Sequence, residues 1–284
     1  MRNEVFTDAS RPTAENNGAL ALPSRRLPTA IYYPAVGDAG PTESTNATPL
    51  TDEGPYPLVL FSHGFTGTGP AYSVALRDWA AAGYVVAAPT FPLSAGGSAG
   101  GPKLTDYVSQ PADVRFVLDQ VLGLSDGGDH PLSGMVDGEH VAAAGHSLGG
   151  VTTIGLGFND CCSDPLIDAY IPIAGLELPF PDGAFDYEAR TSPLLLIHGS
   201  ADTTVGLEFS KTVFAKAKGP KYLVTLVDQG HTPFFNAIVG GVIDNSVIDF
   251  LDHYLKDRAD GLDRLGEDAV VDGLATLETA QPAS

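Results

Sequence analysis

The 284-residue sequence predicts an α/β protein built on a mostly parallel, doubly wound sheet flanked by helices, and three observations carry that prediction. Short apolar runs alternate with helical patterns along the chain, too regularly for an α+β layout. Several of those runs are apolar at consecutive rather than alternate positions, as in strands covered on both faces. The length and the 43% hydrophobic content suffice for one large α/β core.

Residues 1–23 read as an N-terminal extension, 24–258 as the α/β domain and 259–284 as a C-terminal helix or tail. "LPTAIYYP" (27–34) and "YPLVLFS" (56–62) read as strands. Between them, residues 35–55 are polar and rich in Pro, Gly, Ser and Thr, so they read as an exposed loop. "AYSVALRDWAAAG" (71–83) has helical spacing and stops at Gly83, before the strand "YVVAAP" (84–89). Residues 93–103 form a Gly/Ser-rich loop, and 106–123 a helix that Pro111 starts or kinks. The strand "HVAAAG" (140–145), a small-residue helix (148–157) and the strands 169–175 and 193–199 follow. Helix 206–217, strand 221–227 and the amphipathic helix 245–257 complete the domain. In such sheets ligands sit at the carboxyl ends of the strands.

The formal charge of −20 makes nucleic acid or an anionic membrane surface an improbable partner, because both repel an acidic protein. No apolar run approaches a membrane span, and the first twenty residues lack the apolar core of a signal peptide. As written the chain reads as a soluble protein, cytoplasmic, or secreted if a signal peptide was removed. Cys161 and Cys162 are adjacent and close no loop between them; a vicinal disulfide is open to them, but the reading is two small packing residues.

"HVAAAGHSLGGVTTIGLG" (140–157) sets Gly145-His146-Ser147-Leu148-Gly149 between a buried strand and a helix. A Gly-x-Ser-x-Gly pattern alone is weak. Strand and helix on either side are what a nucleophile elbow requires, because the serine must stand on a sharp turn. A serine hydroxyl then needs a base within hydrogen-bond reach and a carboxylate to orient that base. In this arrangement the partners follow in the order Ser, acid, His, which leaves His231 and His253. His253 lies inside a helical run, whereas His231, in "VDQGHTPF", follows a strand. For the acid, Asp202 in "LLLIHGSADTTV" is favoured and Glu177, just after strand 169–175, is the rival. Asp228 reads as a turn residue. Oxyanion donors would be the amides of Leu148 and of Phe65, the latter in "FSHGFTGTG". Phe65, Leu148, Phe180, Phe234 and Phe235 are candidates for an apolar substrate wall, and each reads equally well as core. No metal or organic cofactor is expected.

These residues make the chain resemble the α/β-hydrolase superfamily from about residue 24 to 257. It looks most like the branch of bacterial relatives of platelet-activating factor acetylhydrolase and dienelactone-hydrolase-like proteins, with cutinases and polyester hydrolases as neighbours. The resemblance rests on "SRRLPTAIYYPA", "YPLVLFSHGFTGT", "AAGYVVAAPTFP", "GHSLGG", "HGSADTTV" and "QGHTPF". It implies Ser147 as nucleophile, Asp202 as acid, His231 as base, and Phe65 and Leu148 as oxyanion donors. Dienelactone hydrolases carry a cysteine nucleophile where this chain has Ser147; cutinases usually carry methionine where it has Leu148. The expected activity is hydrolysis of small-molecule or polymeric esters with short to medium acyl chains, through an acyl-enzyme. A cutinase or polyester hydrolase, a thioesterase and a catalytically silent binding protein are the alternatives. Residues 176–192 are too few for a helical cap domain.

Overall fold

A computed structural model describes residues 1–37, 40 and 42–282. Residues 38, 39 and 41 of the expected 35–55 loop, and 283–284 of the expected tail, lie outside the described residues. The chain divides into two compact units, Met1–Glu139 and His140–Ser284.

In the first unit the strands are β1 (Arg2–Asp8), β2 (Arg25–Tyr32), β3 (Tyr56–Ser62) and β4 (Val85–Pro89), in the order β1-β2-β4-β3. β3 and β4 are parallel, while β1 and β2 pair antiparallel with their neighbours. Every residue of β3 and β4 is buried, which is why their sequences are continuously apolar rather than alternating. Helix α1 (Ser73–Ala81) follows a 3₁₀ turn and ends before Gly83, whose φ of +92° reverses the chain into β4. Trp79 of α1 packs edge-on against Phe61 of β3, 5.8 Å between rings. Helix α2 (Gln110–Asp126) carries Pro111 in its first turn, so that proline starts the helix.

Residues 1–23, read from the sequence as an extension, are part of this unit. β1 pairs with β2, and Asn16 Nδ2 donates to Ala99 O and Gly101 O (2.8 and 2.6 Å), tying the segment to the glycine-rich 93–103 loop. The Arg25 guanidinium is buried and paired with Asp113 (2.5 Å) and Asp106 (3.1 Å).

The second unit is entered along β5 (Val136–His146) and continues through α3 (Leu148–Phe158), β6 (Ala169–Ile173), β7 (Leu194–Gly199), α4 (Leu207–Lys216), β8 (Lys221–Leu226), α5 (Ala237–Lys256), α6 (Gly261–Asp268) and β9 (Ala275–Ala280). β5, β6, β7 and β8 lie side by side in parallel, and β9 closes the edge antiparallel to β8. β6 is two residues shorter than its sequence suggests, because Ala174 turns at φ +48° and Gly175 presses on Gly150 of α3. α5 begins eight residues earlier than expected. Asn236 caps it by accepting from Ile238 N (3.1 Å), and this overrides the weak helix propensity of the Gly240-Gly241 pair. No helix occurs between β6 and β7 among the described residues.

Cys161 and Cys162 correct the sequence reading: they are joined in a vicinal disulfide rather than standing as two packing thiols. Spacing alone does not distinguish adjacent thiols from a bonded pair. No helix among the described residues is long and apolar enough to cross a membrane.

Candidate active site

The end of β5 sets the geometry of Ser147. The strand runs apolar and buried through Val141–Ala144, then Ser147 turns the chain with φ +56° and ψ −115°, outside the ordinary regions for a side-chain-bearing residue. Two backbone bonds hold the turn: Ser147 N donates to Ile173 O of β6 (2.8 Å) and Val151 N to Ser147 O (3.0 Å). Glycine is required around it. A Cβ on Gly145 would run into Gly149 O and reach Thr153 Oγ1 at 2.8 Å; one on Gly150 would meet Gly175 Cα at 2.8 Å. Leu148 is buried and begins α3, so its N–H is among those the first helical turn leaves without an intrahelical acceptor.

Asp202 stands in the turn after β7 and is buried. Its Oδ1 accepts from Thr204 N and Val205 N (2.8 and 2.9 Å). Burial by itself would raise its carboxyl pKa; the bonds from His231, Val205 and Thr204 outweigh it and hold the group below the usual carboxylate range.

His231 lies in the loop after β8. Asp228 bends that loop at φ +55° and donates its N–H to Ser200 Oγ (2.9 Å), while Ala201 N donates to Gln229 O (2.9 Å). Only glycine fits at 199, because a Cβ there would collide with Gln229 O and lie 2.7 Å from Gly230 O. From below, His146 Nε2–H donates to His231 O at 2.6 Å. That imidazole is almost wholly buried, and desolvation lowers its pKa to about 4.

These three strand ends bring Ser147, His231 and Asp202 together. His231 Nδ1 is 2.7 Å from Asp202 Oδ2, and its Nε2 is 2.7 Å from Ser147 Oγ. A carboxylate only accepts, so Nδ1 carries the proton of the neutral ring and Nε2 is left as acceptor for the serine hydroxyl. Such a set can remove a proton from Ser147 and hold the resulting imidazolium.

The other candidates have the following surroundings. Glu177 accepts from Tyr187 Oη (2.9 Å) and Lys216 Nζ (2.8 Å). His253 lies on α5, its Nδ1 3.2 Å from Arg258 O. Phe234 sets its ring edge-on to His146 at 5.7 Å, and Phe235 is mostly exposed. Phe180 is buried against Gly155 of α3 and near Phe185 (6.2 Å between rings). Phe65 belongs to the first unit, in the loop after β3, and is partly exposed. That loop is pinned by His63, which donates Nδ1–H to Gly64 O (2.7 Å) and accepts from Phe91 N at Nε2 (3.0 Å).

Sequence reasoning passed over His198. It is fully buried on β7, with Nε2 2.8 Å from Val205 O and 3.3 Å from Asp202 Oδ2, and Nδ1 2.7 Å from Ser210 Oγ. An imidazole in the otherwise apolar "LLLIHG" was the available signal, since a buried polar ring needs partners. Among the described residues no three His, Cys, Asp or Glu side chains are grouped to hold a metal.

Known proteins resemble this chain in sequence and in fold. The family model described as chlorophyllase matches residues 38–179, half of the 284 residues; the match includes Ser147 and ends before Asp202 and His231. The uncharacterized protein YfhR of Escherichia coli (strain K12) is 30% identical over 132 residues, 41% of this chain and 46% of that protein. YfhR of Salmonella typhi is 27% identical over 158 residues, 51% of each. The chain thus spans about half the length of the curated relatives it matches. Among solved structures, a ferulic acid esterase from Streptomyces cinnamoneus superposes with a TM-score of 0.71 over 90% of both chains at 22% identity. That likeness shows the fold, the mostly parallel α/β-hydrolase sheet with flanking helices. With half of its length matched by the family model, the chain belongs to the chlorophyllase family.

Proposed function

We propose that the protein is a carboxylic ester hydrolase in which Ser147 is the nucleophile, His231 the general base and Asp202 the acid that orients it. The observation that carries this reading is the chain of two 2.7 Å hydrogen bonds from Ser147 Oγ through His231 to Asp202, on a serine held at positive φ. Membership of the chlorophyllase family and the ferulic acid esterase neighbour support it.

In this reaction Ser147 Oγ attacks the ester carbonyl carbon while its proton passes to His231 Nε2. The imidazolium is stabilised by Asp202, and the amides of Leu148 and Phe65 are the proposed donors to the oxyanion, on the grounds of motif and chain position. Collapse of the tetrahedral intermediate expels the alcohol, which takes the proton from His231. A water molecule, deprotonated by the same nitrogen, then attacks the acyl-serine; as the acyl–Oγ bond breaks, His231 returns the proton to Ser147 Oγ and the carboxylic acid leaves.

Short to medium acyl chains are the proposed substrates. The short β6–β7 connection leaves no room for a cap domain, and the motifs "GHSLGG" and "HGSADTTV" support kinship with the platelet-activating factor acetylhydrolase branch. A second reading, aromatic acyl esters, is favoured by the ferulic acid esterase neighbour. The decisive measurement is a p-nitrophenyl ester chain-length series, extended to methyl ferulate, on wild type and three variants. Ser147→Ala should lower kcat by roughly 10⁴-fold or more and Asp202→Asn by roughly 10³- to 10⁴-fold. Glu177→Gln should leave kcat near wild type. Absence of esterase activity in wild type, or normal activity in Ser147→Ala, would sink the proposal.

A further inference from the structure

The reaction proposed above makes no use of the buried imidazole of His198, four residues before Asp202 on the same strand-to-turn path. Its hydrogen bonds fix its protonation. Val205 O is a carbonyl and only accepts, so the proton sits on Nε2, 2.8 Å away; Nδ1 is then the acceptor for the Ser210 hydroxyl at 2.7 Å. The same Nε2 lies 3.3 Å from Asp202 Oδ2, the oxygen that receives His231 Nδ1–H. Asp202 Oδ1 is occupied by the amides of Thr204 and Val205. The four polar contacts of the carboxylate thus come from one short turn, one loop and one strand, and His198 supplies the strand's share.

We propose that His198 is a positioning residue for the acid of the site: as a neutral Nε2–H tautomer it ties the 202–205 turn to β7 and aims Asp202 Oδ2 at His231. This inference rests on the reading of Asp202 and His231 as acid and base. An alkyl side chain would fill a buried strand position without desolvating a polar ring, so the cost of burying this imidazole is offset by its bonds. The titratable groups facing it are Asp202, His231 and His146. Burial lowers the pKa of His198 and so keeps the ring neutral and the tautomer singular. The Nε2–H dipole also withdraws charge from Oδ2.

The test compares His198→Leu and His198→Gln, whose amide N–H can stand where Nε2–H stands, with wild type by ester kinetics across pH. For His198→Leu, kcat should fall about tenfold or more with KM little changed. His198→Gln should recover most of the rate. Independently of turnover, imidazole ¹⁵N NMR of the wild type should show His198 protonated at Nε2 and bare at Nδ1. An Nδ1–H tautomer overturns the proposal. So does a folded His198→Leu with unchanged kcat, or a folded His198→Gln as impaired as His198→Leu. Should His198→Leu not fold, His198→Gln and the tautomer decide. If the wild type hydrolyses no ester, the hydrolase reading fails on that result, while the NMR measurement still answers for His198.

Discussion

At the scale of single residues, the fold dictates the charge state of two buried imidazoles. His63 and His146 lie in different units, each almost wholly buried, and desolvation takes each pKa from 6.5 to about 4. The folded protein therefore resists protonation where the unfolded chain accepts it. Both imidazoles cost nothing above pH 6.5, and the unfolded state gains on the folded one as pH falls from 6.5 toward 4, by about 3 kcal/mol for each ring at the lower end. Urea unfolding midpoints should fall steadily over that window, and His146→Gln, which keeps a donor for His231 O but cannot ionise, should flatten the slope. A midpoint independent of pH between 6.5 and 4 would contradict this account. Residue identity was legible where chain order constrains it: Ser147 and His231 follow from motif and sequence position. Choosing between Asp202 and Glu177 was not legible to the same degree, because both follow strands; their tertiary contacts separate them, with Glu177 bonded to Tyr187 and Lys216.

At the scale of elements, glycines rather than large apolar residues govern the elbow. Gly150 of α3 and Gly175 after β6 touch backbone to backbone, a Cβ on either reaching the other within 3 Å. Gly150→Ala should therefore force α3 away from β6 and cost about 1–3 kcal/mol, read as a drop in Tm, despite the gain in helix propensity. Unchanged or raised Tm would show that the contact yields. The central strands were visible in the sequence because burial on both faces makes them continuously apolar. β1 and β9 were not, since "RNEVFTD" and "ATLETA" are mostly at least partly exposed and carry no apolar run. Pairing decides them: β1 against β2 and β9 against β8, both antiparallel. Removal of residues 1–8 would expose the β2 edge and should lower Tm and solubility together.

For the whole molecule, the charge of −20 acts against compactness through self-repulsion. Raising ionic strength from about 0.01 M to about 1 M shrinks the screening length from about 30 Å to about 3 Å, so Tm should rise with salt. A Tm that falls with added NaCl would show that local ion pairs, such as those Asp252 makes with Lys256 and Arg264, outweigh the net charge. The sequence by itself determined the α/β class, the elbow at Ser147 and the histidine that follows it, because hydrophobic periodicity, glycine placement and chain order are local properties. Only the tertiary structure decided which carboxylate meets His231, that Cys161 and Cys162 are bonded, and that His146 and His198 hold the loop and the turn beside them. Those are contacts between strand ends or side chains whose distances no spacing along the chain encodes.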